Sequence, residues 1–239
     1  MRGEGTEAAI VIPTYNERDN LRPLVEEIRR LPCSLLIVIV DDNSPDGTGQ
    51  LADALAAQMP EVRVIHRSGK GGRGSACIAG FRYALRETEA PLIVEMDADF
   101  SHHPRYIPEL LDKAGEADVV IGSRYQKGSQ IVDWGVSRRI FSKLANLFAR
   151  TMLGVPIRDY TNGFRCYRRE ALEALDLDSI QTTGYIVLSE TALLLHRAGA
   201  RFGEIPTVFV NRKRGQSNTT LSEIMDAFTA VWELRRRYA

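Results

Sequence analysis

The chain has 239 residues, of which 44% are apolar and 26% carry a charge, and its formal net charge is zero. These values are typical of a globular protein with one α/β domain, and the lack of excess positive charge argues against a nucleic-acid-binding protein. The acidic N-terminus has only a short apolar run, and no run approaches the length of a membrane span, so we expect neither a signal peptide nor a transmembrane helix.

The first half of the sequence alternates between strand and helix patterns. Strands are predicted at residues 8–13, 35–40, 62–65, 92–96 and 119–121. Helices are predicted over residues 17–31, with Asn16 as the N-cap, and between the later strands, ending near Gln58 and Arg86. This alternation predicts a mostly parallel sheet with helices on both faces, in which ligands bind beyond the carboxyl ends of the strands.

The second half has a less regular pattern. It predicts helices over residues 138–153 and 189–197, strands near 160–167 and over 203–210, and a last helix over 221–238. The first and last of these helices are amphipathic, with an apolar side and basic residues such as Arg139, Lys143 and Arg150 elsewhere. Packing on the domain and contact with a membrane surface both fit such helices.

Charge is unevenly spread along the chain. Residues 1–123 contain 13 basic and 20 acidic residues, whereas residues 124–169 contain 10 basic residues and only Asp133 and Asp159 as acids. A basic block inside a neutral protein suggests an anionic partner that is met by one face. On charge alone, a solvated helix face is the simpler interpretation.

The three cysteines, Cys33, Cys77 and Cys166, lie far apart in the sequence. Their odd number and wide spacing argue against a disulfide framework and against a zinc site. We therefore expect reduced thiols in a cytosolic protein.

The sharpest chemical motif is the run Asp97-Ala98-Asp99 at the end of the fourth predicted strand. Two carboxylates one residue apart can reach one hard divalent cation, and Mg²⁺ or Mn²⁺ bound in this way commonly takes phosphate oxygens as further ligands. The cation would neutralise a diphosphate leaving group. A pair of turn-forming aspartates would give the same pattern, so the motif is weak by itself.

Other polar candidates follow the second and third strands. Asp42 can accept hydrogen bonds from a ribose or a nucleobase, although its neighbours are also typical of a turn. The glycine-rich residues 69–74 lack the order of a P-loop, so a loop near the donor and a phosphate cradle remain equally good interpretations. His102 and His103 point in different directions, and we expect them to orient the loop rather than to share a metal.

Taken together, these motifs resemble those of the inverting family 2 glycosyltransferases, and within them the dolichol-phosphate or polyprenol-phosphate mannose synthases. The matching motifs are Ile12-Pro13-Thr14-Tyr15-Asn16-Glu17, the run 40–48, Gly72-Arg73-Gly74-Ser75-Ala76, the run 96–104, Gly122-Ser123-Arg124-Tyr125, the run 159–165 and Gly184-Tyr185. The resemblance covers about residues 8–220. It implies a single GT-A domain over residues 1–239, with a nucleotide-sugar-binding half (8–123), an acceptor half (124–220) and a C-terminal amphipathic helix (221–239).

The resemblance also implies roles for individual residues. The nucleoside would be held by Pro13, Tyr15, Glu17 and Asp42. The donor diphosphate and an Mg²⁺ or Mn²⁺ ion would be held by Asp97, Ala98 and Asp99. Donor or acceptor phosphates would be met by Arg124 and Arg212, and the acceptor phosphate also by Arg138 and Ser142. Catalysis would depend on Asp97, Asp99 and Arg124.

The implied reaction moves one sugar, with mannose from GDP-mannose favoured, onto a polyprenyl phosphate with inversion. The acceptor is already an anion, so no general base is needed. The implied location is the cytoplasmic face of a membrane, where the protein is peripheral. Two departures from the family pattern bear on the sugar: Asn218 stands where a Lys is usual, and Arg73 stands where a Leu is usual.

Three alternatives stay open on the sequence. The same fold can transfer a sugar to the hydroxyl of a soluble sugar, a polysaccharide or a natural product, and Glu190 is then the best candidate base. A silent nucleotide-sugar-binding or scaffold protein is disfavoured by the intact Asp97 and Asp99. A nucleotidyltransferase would carry a glycine-rich loop directly after the first strand, where this chain has Pro13-Thr14-Tyr15.

Overall fold

The computed structural model describes residues 5–180, 182, 184–211 and 221–238. Its nine strands are β1 (Ala8–Thr14), β2 (Leu35–Asp41), β3 (Val62–His66), β4 (Leu92–Glu95), β5 (Val119–Ser123), β6 (Gln130–Val132), β7 (Arg165–Arg168), β8 (Phe202–Pro206) and β9 (Val208–Val210). Seven of them form one sheet in the order β3-β2-β1-β4-β7-β5-β8, and β6 pairs with β9 in a separate two-stranded sheet. The predicted mostly parallel sheet is confirmed.

Three strands of the sheet end in register at one edge. Thr14 of β1 lies opposite Asp41 of β2, and Asp41 lies opposite His66 of β3, all in parallel pairs. β4 runs parallel to β1 beside it. The strands are apolar along both faces because helices cover both faces, so each strand is a nearly continuous apolar run that ends in polar residues.

The helices are α1 (Arg18–Arg29), α2 (Thr48–Gln58), α3 (Arg73–Glu87), α4 (Ile107–Lys113), α5 (Val136–Leu153), α6 (Arg169–Glu173), α7 (Val187–Arg197) and α8 (Leu221–Arg237). The core has two parts, one on each face of the sheet. One contains apolar residues of α1, α2 and α4, and the other contains residues of α3, α5, α7 and α8. In the part of the chain that the structure describes, no helix is long and apolar enough to cross a membrane.

Strand β7 is shorter than predicted, and its direction had not been predicted. It starts at Arg165 instead of near residue 160, and it runs antiparallel to both β4 and β5. Residues 159–164 are not part of β7, because their side chains bond to neighbouring segments instead. The Asn162 side chain, for example, donates to the carbonyl of Gly122. The buried Arg165 guanidinium fixes the same turn by donating to the carbonyls of Tyr160 and Asn162.

Two other expectations need correction. Asn16 is not the N-cap of α1, because its φ of 60° places it in the left-handed region and Glu17 precedes the first helical turn. The predicted strand 203–210 is two strands, since the amide of Thr207 between them donates to the Ser123 carbonyl and β9 then joins β6. Helices α4 and α6 and strand β6 were not expected, and all three are short.

Candidate active site

The acidic pair lies directly after β4, as predicted. Asp97 and Asp99 are partly exposed, whereas Ala98 between them is buried. One carboxylate oxygen of Asp99 accepts a hydrogen bond from the amide of Ser101 at 2.9 Å, which fixes the turn after the pair. Asp99 also lines a cavity of about 390 Å³, together with residues of the N-terminal end of α1 and Asn211 at the end of β9.

The acidic pair fits a hard divalent cation only in part. Carboxylate oxygens are the ligands that Mg²⁺ and Mn²⁺ prefer, and two of them are present. Among the residues that the structure describes, however, no three His, Cys, Asp or Glu side chains group as a complete metal site. A cation held here would therefore take its remaining ligands from water and from a diphosphate.

Arg73 extends from the first turn of α3 to the acidic pair. Its Nε donates to Asp97 Oδ1 at 2.6 Å, one terminal nitrogen approaches Glu95 Oε2 at 3.2 Å, and the other donates to the Gly163 carbonyl at 2.9 Å. Glu95 is buried and also accepts from the Tyr167 hydroxyl at 2.6 Å. Burial alone would lower the pKa of Arg73, but the charges of Asp97 and Glu95 raise it, so the guanidinium stays charged.

The residues expected to hold a nucleoside lie around the ends of β1 and β2. Tyr15 is partly exposed, with the Lys70 ammonium 4.0 Å from its ring centroid, and Glu17 accepts from the Asn20 amide at 2.7 Å. Pro13 is the last but one residue of β1 and pairs with Val40. These positions are therefore neighbours at one edge of the sheet.

Asp42 organises the glycine-rich loop. Its Oδ2 accepts from the amides of Gly71 and Gly72 at 3.0 and 2.7 Å, and its Oδ1 is paired with Arg67. The carboxylate thus uses the loop amides that a phosphate cradle would need. Of the two interpretations of residues 69–74, the contacts favour a shaped loop beside the site over a phosphate cradle.

Arg124 forms a second buried cluster after β5. Its Nε and one terminal nitrogen contact the two oxygens of Asp159 at 2.8 and 2.6 Å, and Thr161 accepts from the same terminal nitrogen at 2.6 Å. Burial by itself raises the pKa of Asp159, but the Arg124 charge and hydrogen bonds outweigh it and lower that pKa. The bidentate pair fixes the position of the guanidinium beyond the strand end.

Aromatic rings connect Arg124 to the predicted acceptor residues on α5. The guanidinium of Arg138 lies 4.1 Å from the Trp134 ring centroid, and that of Arg124 lies 5.5 Å from the same ring. Arg138 also donates to the Asn211 side chain at 3.3 Å. Ser142 accepts a 2.6 Å hydrogen bond from Tyr125, the residue after Arg124. The structure therefore brings Arg124, Arg138 and Ser142 together, whereas Arg212 lies outside the described residues.

The acidic and basic clusters are neighbours. Gly163, whose carbonyl accepts from Arg73, is two residues from Thr161, which accepts from Arg124. His102 lies near both clusters, within reach of the charges of Asp97, Asp159 and Arg124. Its buried ring stacks on Phe164 with centroids 5.2 Å apart, and its nitrogens have no hydrogen-bond partner among the described residues.

The environment of His102 keeps its ring neutral. Burial is the main cause and the positive charge of Arg124 adds to it, so that the pKa falls from 6.5 to about 4. We expected His102 to orient the loop; in the structure its ring packs against Phe164 and against Phe209 of β9, with centroids 5.2 and 5.0 Å away.

Sequence reasoning missed several residues of the site. Trp134, Asp159 and Thr161 contact the predicted site residues Arg124 or Arg138, and Glu95 contacts Arg73, which is bonded to Asp97; none of the four was assigned a role. Glu95 carried a signal, because it is a charged residue inside an otherwise apolar strand and lies two positions before Asp97. In a strand, that spacing puts two side chains on one face.

Exposed apolar side chains form a stripe on α5. Val136, Ile140, Leu144 and Leu147 are each more than half exposed, and their spacing of three or four residues places them on one side of the helix. Trp232 of α8 is also exposed, and Phe228 of α8 packs on Phe148 of α5 with centroids 4.8 Å apart. The two predicted amphipathic helices are thus packed together, with apolar residues left on the outside.

Glu190, the candidate base for a hydroxyl acceptor, is buried on α7 and bonded on both oxygens. Thr182 donates to one oxygen from its amide and its hydroxyl, at 2.9 and 2.6 Å. Tyr238 donates to the other oxygen at 3.0 Å, and Arg237 approaches it at 3.4 Å. These contacts tie the end of α8 to the body of the molecule, which is a structural use of the carboxylate.

Comparison with known proteins gives a family match and two near relatives. The model of the family described as "Glycosyl transferase family 2" matches residues 9–176. The chain is 42% identical to an undecaprenyl-phosphate mannosyltransferase of Micrococcus luteus, over 95% of this chain and 94% of that protein. It is also 42% identical to a polyprenol monophosphomannose synthase of Mycolicibacterium smegmatis, over 95% of this chain and 87% of the relative.

A solved structure has a similar fold. Glucosyl-3-phosphoglycerate synthase from Mycobacterium tuberculosis, in complex with Mn²⁺, uridine diphosphate and phosphoglyceric acid, superposes with a TM-score of 0.68. The match covers 98% of this chain and 79% of that one, at 19% identity. At that identity the likeness concerns the fold alone, and it agrees with the expected GT-A arrangement.

Proposed function

The chain belongs to glycosyl transferase family 2, and we propose that it transfers mannose from GDP-mannose to the phosphate of a polyprenyl lipid, with inversion at the sugar carbon. The two relatives at 42% identity, named for mannosyl transfer to undecaprenyl phosphate and for polyprenol monophosphomannose synthesis, support this choice of sugar and acceptor. The proposal assigns the donor side to residues 8–123 and the acceptor side to residues 124–220.

One observation carries the proposal: an acidic pair lies beside a cluster of arginines that is built from a different part of the chain. Asp97 and Asp99 follow β4, whereas Arg124 and Arg138 belong to the basic block that starts after β5. A reaction between a diphosphate donor and a phosphate acceptor places much negative charge in one cleft. Cation and arginine contacts on opposite sides would neutralise it.

The chain's own residues then act by positioning and by charge. Asp97 and Asp99 would hold Mg²⁺ or Mn²⁺, which supplies neutralisation of the leaving diphosphate. Arg138 and Ser142 would orient the acceptor phosphate, and the Arg124 guanidinium, fixed by Asp159, would place its positive charge near the phosphates. Since a phosphate oxygen is already anionic, the attack needs no proton acceptor.

We also propose that the protein works as a peripheral enzyme at the cytoplasmic face of a membrane. The apolar stripe of α5 would enter the interface, and the basic residues Arg139, Lys143 and Arg150 of the same helix would meet anionic headgroups. This arrangement would bring the head of a membrane-bound acceptor to Ser142 and Arg138, which lie on the same helix as the stripe.

The decisive experiment is transfer of labelled mannose from GDP-mannose to a short polyprenyl phosphate, followed by organic extraction. We expect label in the lipid phase with Mn²⁺ or Mg²⁺ and loss of label with EDTA. Asp99→Ala should lower the rate by about a thousandfold, because the charge stabilisation of a metal is worth several kcal/mol.

The matched control is Asp112→Ala, which removes an exposed carboxylate from α4 and should leave transfer unchanged. UDP-glucose and a soluble hydroxyl acceptor serve as competing substrates. Preferred transfer to the hydroxyl acceptor, with activity lost in Glu190→Gln while donor binding persists, would replace the lipid-phosphate proposal by the alternative reaction.

A further inference from the structure

We propose that Tyr125 is a positioning residue of the acceptor site, which holds the hydroxyl oxygen of Ser142 so that the hydroxyl proton of Ser142 is left for an acceptor phosphate. The inference rests on the proposed function, because that proposal makes Ser142 a phosphate contact. It adds a residue that does not touch the phosphate itself but determines how Ser142 meets it.

The contact between the two side chains has a defined polarity. The hydroxyl oxygens of Tyr125 and Ser142 are 2.6 Å apart, and Tyr125 is the donor. A phenol donates more strongly than an aliphatic hydroxyl because it is more acidic, whereas the serine oxygen is the better acceptor. Burial raises the pKa of Tyr125 above its ordinary value of 10, although the positive charge of Arg124 opposes this shift. The phenol is therefore protonated at neutral pH and remains the donor of the pair.

The position of Tyr125 is fixed from the end of β5. Its amide donates to the Ser123 hydroxyl at 3.2 Å, and the amide of Arg124 donates to the buried Asp159 carboxylate at 2.9 Å. The Tyr125 ring is partly buried, and the Arg124 guanidinium lies 5.7 Å from its centroid. The phenol thus extends from a well-held backbone to α5, where it can restrain Ser142.

Ser142 differs from another hydroxyl residue of the same helix. Serine and threonine inside helices often donate to the carbonyl four residues earlier. Thr151 does so, since its hydroxyl donates to the Leu147 carbonyl at 2.9 Å. In the part of the chain that the structure describes, the Ser142 hydroxyl bonds Tyr125 instead, and it accepts there. Its own proton is therefore available to a ligand.

The surroundings of Ser142 suit a phosphate. Ser142 lies one turn after Arg138, on the same side of α5. The Ser142 carbonyl accepts from the side chain of the buried Asn146 at 2.8 Å, and Asn146 accepts from the Tyr160 amide at 2.7 Å, so the helix is held to the body at this point. A phosphate beside Arg138 would accept the serine proton in a hydrogen bond to an anion, which is stronger than one between neutral groups.

Loss of the phenol hydroxyl would change the orientation of Ser142. The serine hydroxyl could then donate to the Arg138 carbonyl, in the way that Thr151 donates to the Leu147 carbonyl. An acceptor phosphate would have to compete with that carbonyl for the proton. Tyr125 should therefore affect acceptor binding only while Ser142 carries its hydroxyl.

The test is a double-mutant cycle on the binding of farnesyl phosphate, measured by isothermal titration calorimetry on the whole protein without a sugar donor. The cycle compares the wild type, Tyr125→Phe, Ser142→Ala and the double variant. We expect Ser142→Ala to weaken binding about tenfold, the lower range for a hydrogen bond to a charged group, and Tyr125→Phe to weaken it by about threefold to tenfold. The double variant should bind as Ser142→Ala does, because residues that act through one contact are not additive.

The matched control is Tyr160→Phe, which also removes one phenol hydroxyl, here one that donates to the Val155 carbonyl at 2.8 Å. It should leave the affinity for farnesyl phosphate unchanged, and circular dichroism checks that every variant is folded. If the double variant does not fold, the single variants decide: Tyr125→Phe must weaken binding, and by no more than Ser142→Ala.

Three results would overturn the proposal: additive losses in the double variant, wild-type affinity in Tyr125→Phe, or no binding of farnesyl phosphate to the wild type. A role of Tyr125 in stability alone would give one of the first two results. Because the cycle involves no sugar transfer, a failed mannosyl-transfer assay beside a non-additive cycle would count against the proposed function and leave the role of Tyr125 standing.

Discussion

Two arginines with little exposed surface, Arg73 and Arg124, lie at the site, and their contacts differ. The Arg124 guanidinium donates to both carboxylate oxygens of Asp159 and to the Thr161 hydroxyl. Arg73 bridges Asp97 and Glu95, so one positive charge meets two negative charges. The first cluster lies after β5 and the second after β4, on neighbouring parts of the same sheet.

The two clusters differ in how the carboxylates meet the guanidinium. The bidentate pair with Asp159 fixes Arg124 against the segment 159–165. An unbalanced cluster leaves negative charge directed at the cleft, where a cation or the positive groups of a ligand complete it. Buried ion pairs are thus better judged by what they leave unsatisfied than by their number.

The largest effect should come from breaking the bidentate pair. Asp159→Asn removes the negative charge and leaves Arg124 buried, with 8% of its surface exposed. We expect the free energy of unfolding to fall by about 3–5 kcal/mol, the usual cost of leaving a buried charge without its partner. Urea denaturation followed by circular dichroism measures this difference.

The matched change in the other cluster is Glu95→Gln. Arg73 keeps Asp97 and the Gly163 carbonyl, and the amide oxygen of Gln can still accept from Tyr167. The loss should therefore be about 1–2 kcal/mol, close to the value of one hydrogen bond to a charged group. Equal losses in the two variants would remove the distinction between the clusters.

A second prediction concerns His102, which lies near both clusters. Its pKa in the folded protein is about 4, below its usual 6.5, so the unfolded chain binds more protons between these values. The contribution of His102 to the free energy of unfolding should therefore be constant above about pH 6.5. Below that pH, the free energy of unfolding should fall by about 1.4 kcal/mol per pH unit as the pH is lowered towards 4. Denaturation curves between pH 7 and pH 5 test this slope.

The control is His102→Phe, which keeps an aromatic ring against Phe164 and Phe209 and cannot be protonated. The pKa of Asp159 is lowered from its ordinary value of 3.8, so the stability that its ionised carboxylate contributes is lost only below that pH. A stability slope between pH 7 and pH 5 that is identical in the wild type and in His102→Phe would show that another group is responsible.

A third prediction tests whether the apolar stripe of α5 binds a membrane surface. The variant Ile140→Ser with Leu144→Ser removes two exposed apolar side chains from α5. Burial of such side chains is worth about 1.5–3 kcal/mol each when complete, so partial burial should lower partition to anionic vesicles at least about tenfold. Sedimentation with vesicles of phosphatidylglycerol measures the partition.

The control variant is Leu51→Ser on α2, which removes a partly buried apolar side chain from the acidic residues 1–123. It should leave the partition to vesicles unaltered while the protein stays folded. Equal reductions in both variants would mean that vesicle binding does not depend on the apolar stripe of α5.

The smallest effect is expected for an exposed pair of the same chemical type. Arg82 and Asp178 form an ion pair in which their side chains are 48% and 83% exposed. Asp178→Asn should change the free energy of unfolding by no more than about 0.5 kcal/mol, since solvent screens the pair. The same urea titration that is used for Asp159→Asn provides the measurement, and a loss near that of Asp159→Asn would show that burial is not what separates the pairs.

Local patterns in the sequence predicted most of the fold. The strands up to β5 were placed within two residues at either end, because each is an apolar run bounded by polar or turn residues. The direction of β7 could not be predicted, since four residues carry no signal for parallel or antiparallel pairing. Asn16 has the composition of an N-cap, but its left-handed backbone and its bond to Ser44 give it another role.

Single residues of the candidate site could be predicted from the sequence, but the side chains that they contact could not. Motifs predicted Asp97, Asp99 and Arg124 as site residues, but the contacts of Arg73 with Asp97 and of Arg124 with Asp159 join residues 24 and 35 positions apart. A sequence shows which residues carry charge, whereas the register of the sheet determines which charges meet. For this reason the sequence shows Arg73 only as a departure from the family pattern, and the structure is needed to show its contact with Asp97.

The antiparallel strand β7 has a consequence for the order in which the chain can fold. β4 and β5 are both paired with β7, so the edge of β4 stays open until residues 165–168 have been synthesised. The strands β1 to β4 can associate from the first 95 residues, but β5 and β8 join them only through a strand that arrives later. An open strand edge readily pairs with other chains, so a nascent chain held at this stage is the one most exposed to aggregation.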